Sequence, residues 1–396
     1  MPADPTAERS PVPGITRNVF LLGIVSLFTD ASTEMIYPLI PLFLTNVLGA
    51  PVSVLGIIEG LAEATASVLK GFSGWFSDRL GVRRPLVVFG YGLAAITKPL
   101  LALAGGWGLV LAARVIDRFG KGVRGTPRDA IIADSSEERL RGRAFGFHRS
   151  TDQMGAIIGP LLALPLLAWF NNDYRLVFIA AFVPAVIGVL TLFAVRETGS
   201  RSVAAERPRF RLPRELRGFV IIMLIFAIGN SSDAFLILRA RDLGLSPREV
   251  VLLFAAFNAI YVASAYPAGI VSDRIGRRRV ITGGLVVFSA VYFGFAFAGS
   301  ALWMWPLFAI YGLYHGLTDG TSRAYIASLV DASQRGTALG AYSMAIGLAA
   351  FPASAIAGVL WDRVGPEATF LLGAASAGAA AVALTWYGAR ILERRP

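Results

Sequence analysis

Apolar stretches of about 20 residues recur along the whole of this 396-residue chain, and short polar turns separate them. A stretch of about 20 apolar residues can cross the ~30 Å hydrocarbon layer of a membrane as a helix, which satisfies its own backbone hydrogen bonds there. Hydrophobic residues make up 55% of the chain and charged residues only 16%. A soluble globular domain carries more charge than this. The sequence therefore predicts an all-α polytopic membrane protein.

Twelve such stretches occur, and each predicts one transmembrane helix. Their expected bounds are 18–45, 52–76, 85–104, 107–127, 146–170, 174–195, 218–239, 249–271, 279–299, 302–324, 337–361 and 367–391. The short connections leave no room for a nucleotide-binding domain, which disfavours a transport ATPase.

The basic residues, which give the chain a net charge of +11, fall in alternate loops. They lie at Arg79, Arg83 and Arg84, at Arg139, Arg141 and Arg143, in the run 196–217 and in the run 274–279. The loops at 50–53, 105–108 and 299–301 carry no charge, and the connection from Arg239 to Glu249, with three arginines, is an exception. Since positive loops stay in the cytoplasm, this pattern predicts that both termini are cytoplasmic, in a bacterial-type inner (plasma) membrane. It also argues against nucleic acid as a partner.

A polar signature between the second and third predicted helices occurs twice in the chain. Gly74-Trp-Phe-Ser-Asp78-Arg79-Leu-Gly81 is matched 195 residues later by Gly269-Ile-Val-Ser-Asp273-Arg274-Ile-Gly276. Segments 125–128 and 320–323, and segments 141–146 and 335–340, match at nearly the same offset. A repeat of this kind predicts two similar halves of six helices each, in the same orientation. The expected organisation is a cytoplasmic tail at 1–16, a first bundle at 17–195, a cytoplasmic linker at 196–217, a second bundle at 218–391 and a tail at 392–396.

The repeated signature resembles motif A of the major facilitator superfamily, Gly-x-x-x-Asp-Arg-x-Gly-Arg-Arg, and departs from it at Val82. The resemblance covers essentially the whole chain. It implies two six-helix bundles related by a pseudo-two-fold axis, and a secondary transporter that works by alternating access. In that family the signature forms a gating latch. The residues to which the resemblance gives this role are Gly74, Asp78, Arg79, Gly81, Arg83, Gly269, Asp273, Arg274, Gly276 and Arg277.

The fifth predicted helix contains Gly155-Ala-Ile-Ile-Gly159-Pro160, which resembles the core of the family's antiporter motif. The usual distal glycines are replaced by Ala163 and Leu164. The resemblance implies export of the substrate. Ordinary packing is the alternative, because glycines four residues apart let a neighbouring helix approach closely and a proline permits a bend.

Ionisable residues lie within the predicted helices of the first half, where each costs at least ~2.5 kcal/mol unless it is paired or hydrated. A carboxylate in such a place can exchange a proton near neutral pH. The candidates for proton coupling are Asp30, Glu34, Glu63, Arg114 and Asp117. Arg114 also resembles the arginine of the family's motif B. A static ion pair that fixes helix packing is the alternative for each of them.

The second half carries aromatic and polar residues instead. Phe254, Phe257, Asn258 and Tyr261 recur at helical spacing, which predicts one stripe on the eighth helix. If the stripe faces a cavity, it suits an amphipathic organic substrate, and packing is the alternative. Lys98 is a further candidate for the substrate cavity, because all three lysines of the chain fall within predicted helices and the pKa of a lysine shifts readily on burial. The cavity candidates are Lys98, Asp233, Phe257, Asn258, Tyr261, Tyr311, His315 and Asp319.

A membrane-bound enzyme is the main alternative class. The sequence has no Gly-x-x-x-x-Gly-Lys loop, no His/Cys/carboxylate set at metal-binding spacing and no Gly-x-Ser-x-Gly elbow, so neither an enzyme nor a metal site is predicted. We expect proton-coupled efflux of a small organic compound by a monomer, with protons, substrate and the lipid bilayer as partners and no cofactor. Uptake of a small polar solute, such as a sugar or carboxylate, and a non-transporting sensor remain as alternatives.

Overall fold

The structure is a computed structural model, and it describes residues 10–80, 82–137, 140–197, 213–331 and 334–392. Within these ranges, the side chains of residue 71, residues 74–80 and residues 388–392 lie outside the description.

The described part of the chain is all-helical, with twelve long helical segments. They are α1 (Arg17–Val47), α2 (Val52–Leu80), α3 (Arg84–Ala102), α4 (Trp107–Asp134), α5 (Arg141–Trp169), α6 (Tyr174–Leu192), α7 (Arg214–Asp242), α8 (Pro247–Ile275), α9 (Arg277–Phe297), α10 (Met304–Ser328), α11 (Arg335–Arg363) and α12 (Pro366–Leu392). The prediction of twelve helices is confirmed. Ten of the described segments are long and apolar enough to cross a membrane by length and composition, and α4 and α10 are less apolar than the others.

Two of the segments contain breaks for which the sequence gives a reason. In α1 the regular helix ends at Ile36, and a short turn and a π-helix at Phe43–Val47 follow. Pro38 and Pro41 cause this change, because proline lacks the amide proton that a continuous helix needs. In α7 the helix Arg214–Gly229 stops before a polar run, 230–233, and resumes at Ala234–Asp242. The Asn, Ser and Asp side chains of that run compete for backbone hydrogen bonds.

The helices form two compact units. The first comprises Met1–Leu39 and Thr65–Glu206, and the second comprises Ile40–Ala64 and Arg207–Pro396. In the first unit α1 packs on α5 and α6, while α3 packs on α4 and α6. In the second unit α7 packs on α11 and α12, and α9 packs on α10 and α12. Each unit therefore pairs its helices in the same order, as a duplicated sequence should.

Two hydrogen bonds occur once in each unit, at positions 194 residues apart. In each bond, an arginine at the start of one helix donates to a backbone carbonyl near the end of the helix that precedes it or packs against it. The bonds are Arg83 to Ala130 (3.5 Å) and Arg277 to Ala324 (3.1 Å), and Arg141 to Ala133 (3.3 Å) and Arg335 to Ala327 (3.1 Å). The repeat is thus one of tertiary contacts as well as of sequence.

Candidate functional site

A buried ion pair joins α3 to α4 in the first unit. The Lys98 Nζ donates to the Asp117 carboxylate at 3.2 Å and lies 3.4 Å from the Thr33 hydroxyl of α1. The Lys98 and Asp117 side chains are only 1% and 7% exposed. In such a dry place each charge needs the other, because an unpaired buried ion is strongly destabilising. The sequence analysis predicted Lys98 as a residue of the substrate cavity and Asp117 as a residue of proton coupling. In the structure the two residues contact each other.

Arg114 lies one turn before Asp117 on α4. Its guanidinium group stands 5.6 Å from the centre of the Tyr37 ring, which α1 contributes, and the residue is 2% exposed. A cation over an aromatic face is attracted by the negative potential of the ring. Arg114 and the ion pair therefore tie α4 to α1 at neighbouring levels of the first unit.

Asp30 faces a carboxylate that sequence reasoning missed. The carboxyl groups of Asp30 on α1 and Asp152 on α5 lie within hydrogen-bonding reach of each other. Asp152 also accepts a hydrogen bond from the Ser26 hydroxyl, and Arg149 lies 3.5 Å from it. Asp152 lies near the start of the fifth predicted helix, 146–170, close to the polar loop that precedes it, where charged residues are common. Its spacing of three residues from Gly155 was the available signal, since residues i and i+3 of a helix share one face.

The two other carboxylates that the sequence proposed for proton coupling lie apart. Glu34 is half-buried on α1, in the first unit. Glu63 is exposed on α2, in the stretch that belongs to the second unit. Asp30, Glu34, Arg114 and Asp117 thus share a unit that Glu63 does not.

The helix-5 motif packs directly against the acidic face of α1. A methyl group added at Gly155 would lie 2.6 Å from the Leu27 carbonyl oxygen, and one added at Gly159 would lie 2.5 Å from that of Ala31. The same added atoms would lie 3.0 Å and 2.9 Å from the Cβ atoms of Asp30 and Glu34. The two glycines therefore let α5 approach the backbone of α1 at the level of these carboxylates. The buried Pro160 follows at once in the same helix.

In the second unit, most of the predicted cavity residues form one aromatic cluster. The His315 ring lies 4.8 Å from Tyr311, 5.5 Å from Phe257 and 5.6 Å from Tyr261, measured between ring centres. The Tyr311 hydroxyl donates to Asp233 at 2.6 Å, and Asp233 ends the break in α7. The break in α7 therefore places the Asp233 carboxylate next to the aromatic rings of α8 and α10.

A second hydrogen-bonded pair borders this cluster. The Tyr261 hydroxyl donates to Asp319 at 2.8 Å, and Arg323 donates to the same carboxylate at 3.1 Å. Asn258 is 8% exposed, and neither its Nδ2 nor the His315 Nε2 has a hydrogen-bond partner among the described residues. Buried polar atoms are nearly always hydrogen-bonded in proteins. These two nitrogens therefore keep a capacity that a polar group of a substrate could use.

The ion pair of the first unit and the tyrosines of the second occupy equivalent positions of the repeat. Lys98 and Asp117 correspond, 194 residues later, to Tyr292 and Tyr311. The two tyrosine rings lie 6.0 Å apart and are fully buried. One unit thus holds charges where the other holds aromatic hydroxyl groups.

The second copy of the repeated signature is described in full. Gly276 has φ +97°, a left-handed conformation that glycine adopts without strain and that turns α8 into α9. Asp273 lies 3.5 Å from Arg277 and is 70% exposed. Arg274 is exposed beside it.

The first copy of the signature is described only in part. The side chains of Asp78 and Arg79, the surroundings of Gly74 and the whole of Gly81 lie outside the description. Arg83 is 9% exposed and pairs with Asp134 at the end of α4. The backbone amides of Arg83 and Arg84 donate to the carboxylate of Glu197. This end of the first unit is therefore held by charged side chains on helix ends.

Comparison with known proteins decides the family. The sequence model of the Major Facilitator Superfamily matches residues 22–239 and 218–395. This chain belongs to the major facilitator superfamily. A relative from Methanocaldococcus jannaschii, named uncharacterized MFS-type transporter MJ1317, is 36% identical over 91% of this chain and 92% of its own length.

More distant relatives agree with this membership. Multidrug resistance protein MdtH of Edwardsiella ictaluri is 22% identical over 81% of each chain. Among solved structures, a POT family transporter in complex with 5-aminolevulinic acid superposes with a TM-score of 0.81 at 12% identity, over 95% of this chain and 96% of that one. At that identity the likeness shows the fold alone. This major facilitator protein is a multi-pass secondary transporter that binds a small-molecule substrate in the membrane, and its family is not one of enzymes.

Proposed function

We propose that this major facilitator transporter exports a small amphipathic organic compound in exchange for protons. The observation that carries the proposal is the contact between α1 and α5, where Gly155 and Gly159 of the helix-5 motif lie against the backbone beside Asp30 and Glu34. Two carboxylates that can bind protons then adjoin the motif that resembles the antiporter motif. The name of the MdtH relatives, multidrug resistance protein, supports the same direction.

The second unit supports the amphipathic nature of the substrate. Aromatic rings bind apolar surface, and the nitrogens of Asn258 and His315 that have no hydrogen-bond partner in the described part of the chain can meet a polar group. We propose that Lys98, Asp233, Phe257, Asn258, Tyr261, Tyr311, His315 and Asp319 serve the substrate, and that Asp30, Glu34, Glu63, Arg114 and Asp117 serve the proton.

The direction of transport is tested in proteoliposomes of known orientation, loaded with a chemically mixed panel of compounds. In vesicles that hold the termini inside, a higher proton concentration outside should drive an amphipathic compound from the interior to the outside. Gradient-driven accumulation of a sugar or carboxylate in the opposite sense would instead establish uptake, and binding without flux would establish a sensor.

Coupling is tested by two substitutions with a matched control. Asp30→Asn and Glu34→Gln should abolish gradient-driven flux and leave exchange of substrate for substrate intact. Asp331→Asn removes an exposed carboxylate outside the helices and should transport normally. Full driven flux in both variants would overturn the assignment of the proton site.

We also propose that both termini lie in the cytoplasm of a bacterial-type cell, that residues 17–195 and 218–391 are the two functional bundles of a monomer, and that the two copies of motif A act as latches there. Arg239, which departs from the charge pattern, supports this topology. Its buried guanidinium group donates to the carbonyls of Phe295, Ala296 and Ala298 at 3.1–3.2 Å, so it is not a free loop charge. Modification of cysteines introduced one at a time into this cysteine-free chain tests the topology.

A further inference from the structure

We propose that Asp30 and Asp152 hold one proton between them, and that this shared proton is the one that the transporter exchanges for its substrate. The inference rests on the proposed proton-coupled transport and adds Asp152 as a coupling residue. Two carboxylates in hydrogen-bonding reach repel each other unless one of them is protonated, in which case an O–H group donates to the other carboxylate.

The surroundings of Asp152 fix it in a position to share this proton. The Ser26 hydroxyl donates to Oδ1 of Asp152, and Arg149 approaches Oδ2. Ser26 lies one turn before Asp30 on α1, so the same helix that carries one carboxyl group also orients the other. The close approach of α1 and α5 at Gly155 brings the two helix backbones near enough for short aspartate side chains to meet.

A buried histidine supplies an independent sign of a proton site. His148 lies one turn before Asp152 on α5, is 4% exposed, and its Nε2 has no hydrogen-bond partner in the described part of the chain. Residues i and i+4 share a helix face, and the side chain of Asp152 leans toward the preceding turn, where His148 lies. The two side chains interact electrostatically. An imidazole with a free nitrogen beside a carboxyl group can pass a proton to or from it.

Charged groups from each neighbouring helix surround the pair. They are Glu34 on α1, Lys121, Arg128 and Asp129 on α4, and His148 and Arg149 on α5. The described residues of α6 that pack on this stretch of α1 are uncharged. With one proton the pair carries a single negative charge, and without it two. The cations of α4 make the second charge tolerable, so the proton can leave.

Loss of the proton has a mechanical consequence. When the proton leaves, the hydrogen bond between the carboxyl groups is broken and two negative charges face each other across the contact of α1 and α5. Uptake of one proton restores the bond. The pair therefore links the number of bound protons to the packing of these two helices.

The first experiment follows the proton itself, in purified transporter without substrate. Infrared spectra recorded against pH should contain the carbonyl band of a protonated carboxylic acid in the wild-type protein. Asp30→Asn and Asp152→Asn should each remove this band at a pH where the wild type keeps it, although the asparagine at 152 can still accept from Ser26. Asp152→Glu should restore it, and Asp331→Asn, which removes an exposed carboxylate outside the helices, should leave it unchanged. A band that persists unchanged in Asp152→Asn would overturn the proposal.

The second experiment separates the pair from the transport mechanism. Asp152→Asn should lose at least tenfold in gradient-driven flux and keep substrate exchange, and Asp331→Asn should keep both. The wild-type flux could be independent of the proton gradient while the infrared band behaves as expected. In that case the proposed proton coupling is wrong, and the pair has no role in transport. A band that responds to replacement of sodium by choline would show that the carboxylates hold a metal cation, and would also overturn the proposal.

Discussion

Asp362, at the end of α11, caps the first turn of α2, and removing its carboxylate should loosen the contact between these helices. Its two oxygens accept hydrogen bonds from the backbone amides of Val52 at 3.0 Å and Ser53 at 2.8 Å. The first amides of a helix have no partner inside the helix, so a carboxylate there satisfies two of them at once. Transport by alternating access requires some contacts of this kind to open and close.

Glycines bring the two backbones together beside the cap. A methyl group at Gly56 would lie 2.2 Å from the Ser354 carbonyl oxygen, and one at Gly358 would lie 2.7 Å from the Cα atom of Ser53. The cap therefore lies where the two helix backbones pack closely.

The expected size of the effect follows from the exposure of Asp362. Replacing a capping aspartate by alanine costs about 1 kcal/mol, and solvent keeps the value modest here because the side chain is exposed. At room temperature about 1 kcal/mol is roughly a fivefold change in the ratio of open to closed contact. Asp362→Asn keeps one acceptor oxygen for the two amides and turns an NH2 group toward the other amide, so it should give an intermediate change.

The assay uses the absence of native cysteines. Ser354→Cys introduces a thiol at a position that is 2% exposed, so a maleimide reagent reaches it only when the contact opens. The Asp362→Ala background should raise the rate of modification about fivefold, and Asp362→Asn should raise it by an intermediate factor.

A second reporter distinguishes local opening from unfolding. Ser300→Cys lies at an exposed site and should react at one rate in all three backgrounds. Equal rates at Ser354→Cys in all backgrounds would refute the reasoning, because the two hydrogen bonds would then contribute nothing to closure.

Three further predictions concern stability, measured as thermal unfolding of the purified transporter. Lys98→Met should destabilise the fold by about 3–5 kcal/mol, since it removes the cation that donates a hydrogen bond to the buried Asp117, and the added Asp117→Leu should recover most of this loss. Failure of the second change to recover stability would argue against a simple pair. Arg239→Gln should cost about 3 kcal/mol through the uncapped carbonyls of α9, and an effect below 1 kcal/mol would contradict that role. Gly159→Ala should cost about 1–3 kcal/mol by pushing α5 from α1, whereas Gly146→Ala on the same helix meets open space and should cost nothing measurable.

The architecture could be predicted because the bilayer imposes it. Any helix that crosses the hydrocarbon layer needs about 20 apolar residues, so the spans are visible one at a time and without knowledge of their neighbours. The repeat could be found for a similar reason, since Arg83 and Arg277 belong to short segments that each copy retains. The breaks in α1 and α7 also have local causes, although their effect on Asp233 became visible only in the structure.

The partners of the charged residues could not be predicted. Lys98 meets Asp117 because α3 and α4 turn the right faces to each other, and Asp30 meets Asp152 across 122 positions of sequence. Both contacts depend on the rotation of each helix about its axis. In a membrane that rotation is set by the close packing of small residues such as Gly155 against neighbouring helices. The sequence of a single helix does not show which neighbour it packs against.

The sequence by itself therefore determined the number of helices, the duplication and the presence of ionisable residues among apolar ones, since hydrophobic length and composition act on each segment independently. Only the tertiary structure decided which charges are neutralised in pairs, which carboxyl groups lie next to each other, and which polar atoms of Asn258 and His315 have no partner among the described residues. Those outcomes depend on distances of a few ångströms between helices that are far apart in the chain, and the packing of all their side chains together fixes such distances.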